Sequence, residues 1–281
     1  MIRFNLSAWH GLFRTEHALI TLVGVAVGQL SVADFYHTSI FAGVGPALIT
    51  LAAFALNDYL GFETDKANKR SDRPIVAGTI KREHALYAAL LLFLAGLFLT
   101  YLVNFTVFLI SLAYVALSIL YDLLLKKLPL VGNAIIALTM AGPFIYGNLA
   151  FTPMLSQKVV LLSVIAFLVG VGRELLNTLR DVKGDKKVGA TTLPMLIGPR
   201  GTVFLSSFLI LAAVFLSFVP LLSEPLPLLY AALLLPCDLL LLLTVYNALK
   251  SSDIVILAQC RNYTLAALGF GALAFLGLAI G

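Results

Sequence analysis

The chain has 281 residues, of which 60% are hydrophobic and only 12% are charged, and its mean hydropathy is +1.00. These values exclude a soluble globular domain and predict an integral membrane protein that lies in the lipid bilayer. The net charge of +5 favours anionic lipid headgroups and phosphates, and the sequence implies neither a nucleic-acid partner nor a protein partner.

The N-terminal segment predicts an amphipathic helix at the membrane interface. Arg3, His10 and Arg14 are interspersed there with Trp9 and Phe13, a mixture typical of helices that lie among lipid headgroups. We expect this helix to lead into the first membrane span.

Nine apolar runs follow, each close to the roughly 20 residues that a helix needs to cross about 30 Å of hydrocarbon. They cover residues 17–33, 39–56, 84–102, 105–121, 128–150, 159–176, 201–221, 226–248 and 262–280. The chain lacks the short alternating segments of a membrane β-barrel. It therefore predicts an all-α bundle of nine transmembrane helices that forms a single domain over residues 1–281.

The basic residues predict the orientation of this bundle. All of the 19 Lys and Arg residues except Lys158 lie before the first run, or in or beside the loops after runs two, four, six and eight. The positive-inside rule assigns these loops and the N-terminus to the cytoplasm. We therefore expect a multi-pass protein of the cell membrane.

One polar pattern occurs twice, after the second run and after the sixth. Its members are Asn57, Asp65 and Lys66 in the first cassette and Asn177, Asp185 and Lys186 in the second. Asp181 lies at the midpoint of the second cassette, whereas Gly61 lies at that of the first, with Asp58 and Glu63 nearby. Carboxylates four residues apart share one face of a helix, where they repel one another unless a cation lies between them. The pattern predicts two acidic helix–loop caps that bind Mg2+ together with a phosphate ligand.

Basic residues and a turn follow the acids in each cassette. In the first loop Arg73-Pro74 turns the chain and Gly78 allows a tight return, and in the second Gly189 and Pro194 take these places. Lys and Arg at such positions can stabilise the charge of a departing diphosphate.

These loops, the nine runs and the Arg-Pro-Ile…Gly and Thr-Leu-Pro segments resemble the UbiA superfamily of intramembrane prenyltransferases over essentially the whole chain. Weaker matching positions lie around the fifth run at Tyr121, Lys126, Gly132, Asn133, Tyr146 and Gly147. The segment from Arg173-Glu174 to Asp185 is most similar to the archaeal digeranylgeranylglyceryl phosphate synthase branch of that superfamily.

The resemblance implies Mg2+-dependent transfer of a prenyl group from a prenyl diphosphate to a membrane-associated acceptor lipid, and we expect the prenyl group to be geranylgeranyl. For the ether-lipid branch the acceptor is the hydroxyl of geranylgeranylglyceryl phosphate. The implied metal ligands are Asn57, Asp58, Asp65, Asp181 and Asp185, and all of these except Asp58 are the implied catalytic residues. The implied substrate-binding residues are Arg14, Lys66, Arg73, Tyr121, Lys126, Tyr146, Asn177 and Lys186.

The chain departs from the family pattern at two positions. Gly61 replaces the middle Asp of the first cassette, and Asp58 and Glu63 are the candidates to take over its role. His17 stands three residues after Arg14, where many relatives carry Asn.

Other functions compete with this interpretation. An aromatic-acceptor prenyltransferase of quinone biosynthesis is the nearest alternative. Asp238, in the middle of the eighth run, could instead belong to an ion-coupled transporter, or could be hydrogen-bonded to Asn247 or to another helix. A third alternative is a relative that only binds prenyl lipids.

Three smaller features have structural interpretations. Asp122 and Lys126 form an i,i+4 pair that supports a helix end. Gly24 and Gly28 predict close helix packing within the bundle. Cys237 and Cys260 imply no disulfide.

Overall fold

The computed structural model describes residues 5–280 except 36, 68–69, 188, 190, 223–224 and 226, and leaves the side chains of residues 127, 183–185 and 187 undescribed. The described residues form helices and no strand, as predicted. The α-helices are α1 (Leu6–Phe13), α2 (Thr15–Leu30), α3 (Ser39–Leu60), α4 (Phe62–Ala67), α5 (Arg82–Val103), α6 (Phe105–Leu123), α7 (Val131–Leu149), α8 (Gln157–Lys187), α9 (Leu193–Ser217), α10 (Leu228–Lys250) and α11 (Ile254–Ile280). Short 3-10 helices cover Leu125–Lys127 and Val219–Leu222.

Each predicted run overlaps one of these α-helices. By length and apolar composition, seven of the helices in the described residues can cross a membrane, namely α3, α5, α6, α8, α9, α10 and α11. The helix α2 is apolar but shorter, so the count of nine spans stays a prediction.

The described residues form two compact units, and the prediction of a single domain over residues 1–281 stays a prediction. The first unit comprises the chain up to Leu22 together with Phe35–Leu125. In its core, α3 packs against α5, and the close approach uses small residues. A Cβ on Gly45 would lie 2.7 Å from Thr100 Cγ2, and one on Gly96 would lie 2.7 Å from Ile49 Cγ1.

The second unit comprises Val23–Asp34 and the chain from Lys126 onward. Its core is a layer of apolar side chains from α7 to α11, in which Phe144 on α7 meets Phe275 on α11 edge to face, with ring centroids 5.6 Å apart. The pairs α7–α8, α8–α9 and α10–α11 make the extensive contacts of this unit.

The second half of α2 contacts α7 almost backbone to backbone. A Cβ on Gly28 would collide with the carbonyl oxygen of Phe144, and a Cβ on Gly147 would collide with that of Val25. Gly24 lies against the Pro143 ring, with 2.8 Å from its added Cβ to Pro143 Cβ. The prediction that Gly24 and Gly28 pack helices within the bundle is confirmed.

Asp238 is buried in the second unit and has its hydrogen-bond partner on another helix, one of the two predicted alternatives. Ser217 Oγ on α9 donates to Asp238 Oδ2 at 2.9 Å, and the Tyr230 hydroxyl donates to the Ser217 carbonyl oxygen at 2.6 Å. A cavity of about 230 Å3 between α9 and α10 is lined by Asp238 and by apolar residues such as Val214 and Leu242. It contains none of the predicted site residues.

Candidate active site

The first cassette lies at a break between two helices of the first unit. The helix α3 extends past the predicted run to Leu60, and Gly61 is its C-cap. The Gly61 amide still donates to the Asn57 carbonyl oxygen at 2.8 Å, and the Asp65 amide donates to the Gly61 carbonyl oxygen at 2.9 Å. These bonds keep the short helix α4 and Asp65 close to the end of α3.

Asp58 is buried and pairs with two arginines. Its Oδ1 accepts hydrogen bonds from Arg14 Nη2 at 2.6 Å and from Arg73 Nη1 at 3.0 Å, and its side chain is only 1% exposed. Its Oδ2 is buried and makes no hydrogen bond among the described residues. Asp58 therefore holds two guanidinium groups side by side, each of them about four-fifths buried.

Local backbone geometry brings Arg14 to this cluster. Arg14 is the C-cap of α1 and has a left-handed conformation, with φ of 48°, which turns the chain from α1 into α2. Its guanidinium carbon lies 4.5 Å from the centroid of the Phe54 ring, and the His17 ring meets the same phenyl ring edge-on at 4.8 Å. The cationic face thus stacks on an aromatic residue of α3.

Asp65 lies beside the same arginines. Its Oδ2 is 3.7 Å from Arg73 Nε, and its side chain is 19% exposed. A Cβ on Gly61 would lie 3.6 Å from that Oδ2, so the position of the missing acid adjoins the carboxylate of Asp65. Glu63, in contrast, is exposed and lies 3.8 Å from Arg82.

Asn57 is held by an acid from a different helix of the same unit. Its Nδ2 donates a short hydrogen bond to Asp122 Oδ1, and Asp122 is buried in the last turn of α6. The neighbouring Tyr121 is partly buried. The sequence predicted only a helix-supporting role for Asp122, because a contact between residues 65 positions apart leaves no trace in local spacing.

The second cassette is carried by α8, in the second unit. Asn177 Nδ2 donates to Glu174 Oε1 at 3.0 Å, and Arg173 Nη1 donates to the same oxygen at 2.7 Å. Asn133 Nδ2 on α7 donates to Thr178 Oγ1 at 2.8 Å. Glu174 therefore organises this end of the cassette, a role that the sequence did not predict.

The acids of the second cassette are more accessible than those of the first. Asp181 is 48% exposed, and its carboxylate accepts from Arg180 Nε and Nη2 at 3.2 and 3.3 Å. Lys186 is exposed, and Asp185 belongs to α8 with a side chain outside the described part of the structure.

The remaining predicted substrate-binding residues differ in how exposed their side chains are. Lys66 on α4 is exposed, with its Nζ 5.8 Å from the centroid of the Phe62 ring. Lys126 in the 3-10 helix is partly buried. Tyr146 is buried in α7.

The donor atoms of both cassettes suit a hard divalent cation. Amide and carboxylate oxygens are the ligands that Mg2+ prefers, and Mg2+ keeps several waters or phosphate oxygens in its coordination shell. Among the described residues no group of three or more acidic, His or Cys side chains is gathered around one point. The buried and unbonded Oδ2 of Asp58 and the carboxylate of Asp65 fit a site in which the protein provides only part of the coordination.

Comparison with known proteins assigns the chain to a family. Residues 18–255 match the UbiA prenyltransferase family. The chain belongs to this family. The resemblance inferred from the sequence is confirmed, and the apolar helices of this UbiA chain make it a multi-pass membrane protein.

Individual relatives match the UbiA chain over nearly its whole length. It is 33% identical over 280 residues to the digeranylgeranylglyceryl phosphate synthase of Archaeoglobus fulgidus, which covers 97% of the chain and 95% of the relative. A solved structure of a digeranylgeranylglyceryl phosphate synthase is 25% identical, with a TM-score of 0.75 and 98% of each chain covered. A UbiA homologue from Archaeoglobus fulgidus, solved with DMAPP and Mg2+, is 20% identical with a TM-score of 0.67 over 95% of this chain and 98% of that one. This last likeness shows the fold alone.

Proposed function

We propose that this UbiA prenyltransferase transfers a geranylgeranyl group from its diphosphate to the free hydroxyl of geranylgeranylglyceryl phosphate. The observation that supports this acceptor is the 33% identity to digeranylgeranylglyceryl phosphate synthase across 97% of the chain. In this reaction the allylic C–O bond of the donor breaks, diphosphate leaves, and an ether bond forms as the acceptor hydroxyl loses its proton. The reaction belongs to archaeal ether-lipid biosynthesis.

The proposed Mg2+ ligands are Asn57, Asp65, Asp181 and Asp185. The first three offer partly exposed oxygen donors, whereas Asp185 is included on its place in the Asn-x3-Asp-x3-Asp pattern. Bound Mg2+ would offset the charge of the diphosphate and so make it a better leaving group. The homologue of the same fold was solved with DMAPP and Mg2+, the two kinds of ligand that this proposal requires.

Asp58 has a different proposed role from the one expected from the sequence. Because Oδ1 of Asp58 already accepts from Arg14 and Arg73, its main task is to hold these two guanidinium groups next to each other. Two fixed guanidinium groups bind phosphate oxygens strongly, through several donors in a rigid arrangement. We propose that they bind a phosphate group of the substrates, and only Oδ2 remains for a cation.

Other polar residues would complete substrate binding. Lys66 and Lys186 are exposed cations next to the acids of their cassettes, where they could stabilise the released diphosphate. Asn177, which Glu174 orients, and Lys126 are proposed to contact the polar parts of the substrates. Tyr121 and Tyr146 are proposed to line the apolar part of the site.

The orientation is part of the proposal. The excess of Lys and Arg in the cassette loops supports a cytoplasmic location for both cassettes and for the N-terminus. The water-soluble diphosphate product would then be released into the cytoplasm.

An assay in liposomes tests the proposal. The purified protein receives radiolabelled geranylgeranyl diphosphate and geranylgeranylglyceryl phosphate, with Mg2+ or with a chelator, next to an Asp181→Ala variant. We expect a labelled ether lipid only from the unsubstituted protein with Mg2+. If the label remains in geranylgeranyl diphosphate under all conditions, the proposed activity is rejected.

A further inference from the structure

Asp122 is a buried acid in an otherwise apolar helix. The rest of α6 has no ionisable side chain apart from two tyrosines, and only 6% of the surface of Asp122 is exposed. Burying a carboxylate is costly unless hydrogen bonds satisfy it. An acid in this position therefore requires a hydrogen-bond partner that offsets the cost of burial, and Asn57 is such a partner.

That hydrogen bond fixes the orientation of the Asn57 amide. Asn57 Nδ2 donates to Asp122 Oδ1, so the NH2 group of the Asn57 side chain faces Asp122, and the carboxyl oxygen acts as the acceptor. The carbonyl oxygen of the same planar amide then points in the opposite direction. This oxygen is the atom that a divalent cation binds, whereas the NH2 group would repel a cation.

From this geometry we infer that Asp122 is a positioning residue, which keeps the side-chain oxygen of Asn57, Oδ1, available as a Mg2+ ligand. The inference rests on the proposed function, in which Asn57 is one of the ligands. It has particular weight in this chain because Gly61 adds no acid to the first cassette. Asp65 and Asn57 then provide most of the donor atoms of the first cassette. A change in the orientation of the Asn57 amide would therefore lower the affinity for the cation.

The test measures metal binding without catalysis. Binding of Mn2+ in the presence of inorganic pyrophosphate is followed by electron paramagnetic resonance for the unsubstituted protein and for Asp122→Asn. An amide at position 122 can donate as well as accept, so Asn57 can turn its NH2 toward the cation. Since a residue that orients a metal ligand contributes about 10- to 100-fold to metal affinity, we expect a loss of that size.

Asp238→Asn is the matched control. Asp238 is 7% exposed and hydrogen-bonded to Ser217, so its substitution also neutralises a buried acid of similar burial. We expect this variant to bind Mn2+ like the unsubstituted protein. An equal loss in both variants would overturn the inference, because the effect would then come from general destabilisation.

An exchange of the two groups separates positioning from a structural role. In the double variant Asn57→Asp/Asp122→Asn the hydrogen bond can form in the reverse sense, and position 57 presents a carboxylate that needs no orientation. We expect Mn2+ affinity to return to within about threefold of the original value, since coupled residues are non-additive. Failure of the exchange to restore binding in a folded protein, or Mn2+ affinity that is unchanged in Asp122→Asn, would overturn the inference.

The outcome is separable from that of the proposed function. If Asp122→Asn loses Mn2+ binding and the unsubstituted protein transfers its prenyl group to a different acceptor, only the proposed acceptor is rejected and the inference about Asp122 stands. Absence of Mn2+ binding by the unsubstituted protein would overturn the inference itself.

Discussion

Gly61 is the residue at which this UbiA chain lacks an expected acid. A Cβ there would lie 3.6 Å from Asp65 Oδ2, so Gly61→Asp would place a second carboxylate beside the first. We predict that the Mg2+ concentration for half-maximal transfer falls by about three- to tenfold, because affinity for such cations rises with the number of charged ligands. Titration of activity with Mg2+ measures this.

Gly61→Asn is the control for size in that experiment, since it adds a side chain of the same shape without charge. Both variants bring a Cβ to 2.9 Å from the Asn57 carbonyl oxygen and share any steric cost. A Mg2+ requirement that falls equally in both would show that charge is not the cause.

Asp58 forms ion pairs with Arg14 and Arg73, and all three side chains are largely shielded from solvent. Removing one member of a buried ion pair leaves unpaired charge and costs about 3 to 5 kcal/mol, so we predict that Asp58→Asn lowers the free energy of unfolding by about 3 kcal/mol. Thermal unfolding in detergent, followed by intrinsic fluorescence, measures the loss.

Asp72→Asn serves as the comparison for Asp58→Asn. Two hydrogen bonds from Arg70, both of 2.9 Å, hold the pKa of Asp72 below its ordinary value, but its side chain is 62% exposed. Exposed ion pairs contribute about 1 kcal/mol or less. Equal destabilisation by the two substitutions would contradict the special role of Asp58.

The sequence predicted the members of both cassettes but not their partners. Spacing of four or eight residues along a helix can be read directly, and it led to Asn57, Asp65 and Asp181. The pairs Arg14–Asp58 and Asn57–Asp122 join residues 44 and 65 positions apart. They depend on how whole helices pack, which no local pattern encodes.

At the scale of elements, the contact between α2 and α7 depends on missing side chains. Gly28→Ala would place a methyl group against the Phe144 carbonyl oxygen, and overpacking of this kind costs about 1 to 3 kcal/mol. We predict a lower unfolding temperature for this variant, measured in the same detergent.

Gly269→Ala is the natural comparison, because a Cβ at Gly269 in α11 has no neighbour within 4 Å. An alanine there should be neutral or should stabilise the helix by up to about 1 kcal/mol. If Gly28→Ala proves as stable as Gly269→Ala, the α2–α7 contact is looser than described.

Helix positions followed from hydropathy, but helix ends did not. The sixth run was predicted to end at residue 176, whereas α8 continues to Lys187, and α11 begins at Ile254 instead of 262. Hydropathy marks only the part of a helix that lies in hydrocarbon, and backbone hydrogen bonds can continue beyond it. In α9 the left-handed Gly198, with φ of 76°, makes a kink before Pro199, which no apolar run could indicate.

At the scale of the whole molecule, the charge distribution predicts the orientation. Lys158, the basic residue predicted on the outer side, donates to the Leu278 carbonyl oxygen at 3.2 Å, so the beginning of α8 and the end of α11 lie at the same end of the second unit. Single cysteines at Asp72 and Met154 would test the orientation, since Cys237 and Cys260 are buried.

We predict that a membrane-impermeant maleimide labels Met154→Cys in intact cells and labels Asp72→Cys only after permeabilisation. Both sites are exposed to reagent. The reverse labelling pattern would place the cassettes outside the cell and would contradict the positive-inside assignment.

The most direct measurement offers the protein two acceptors at once. Liposomes containing the protein receive geranylgeranyl diphosphate, Mg2+ and equal amounts of geranylgeranylglyceryl phosphate and 4-hydroxybenzoate, and mass spectrometry identifies the products. We predict that digeranylgeranylglyceryl phosphate is the dominant product and that a chelator abolishes it. A prenylated benzoate as the main product would contradict the proposed acceptor and assign the chain to aromatic prenyl transfer.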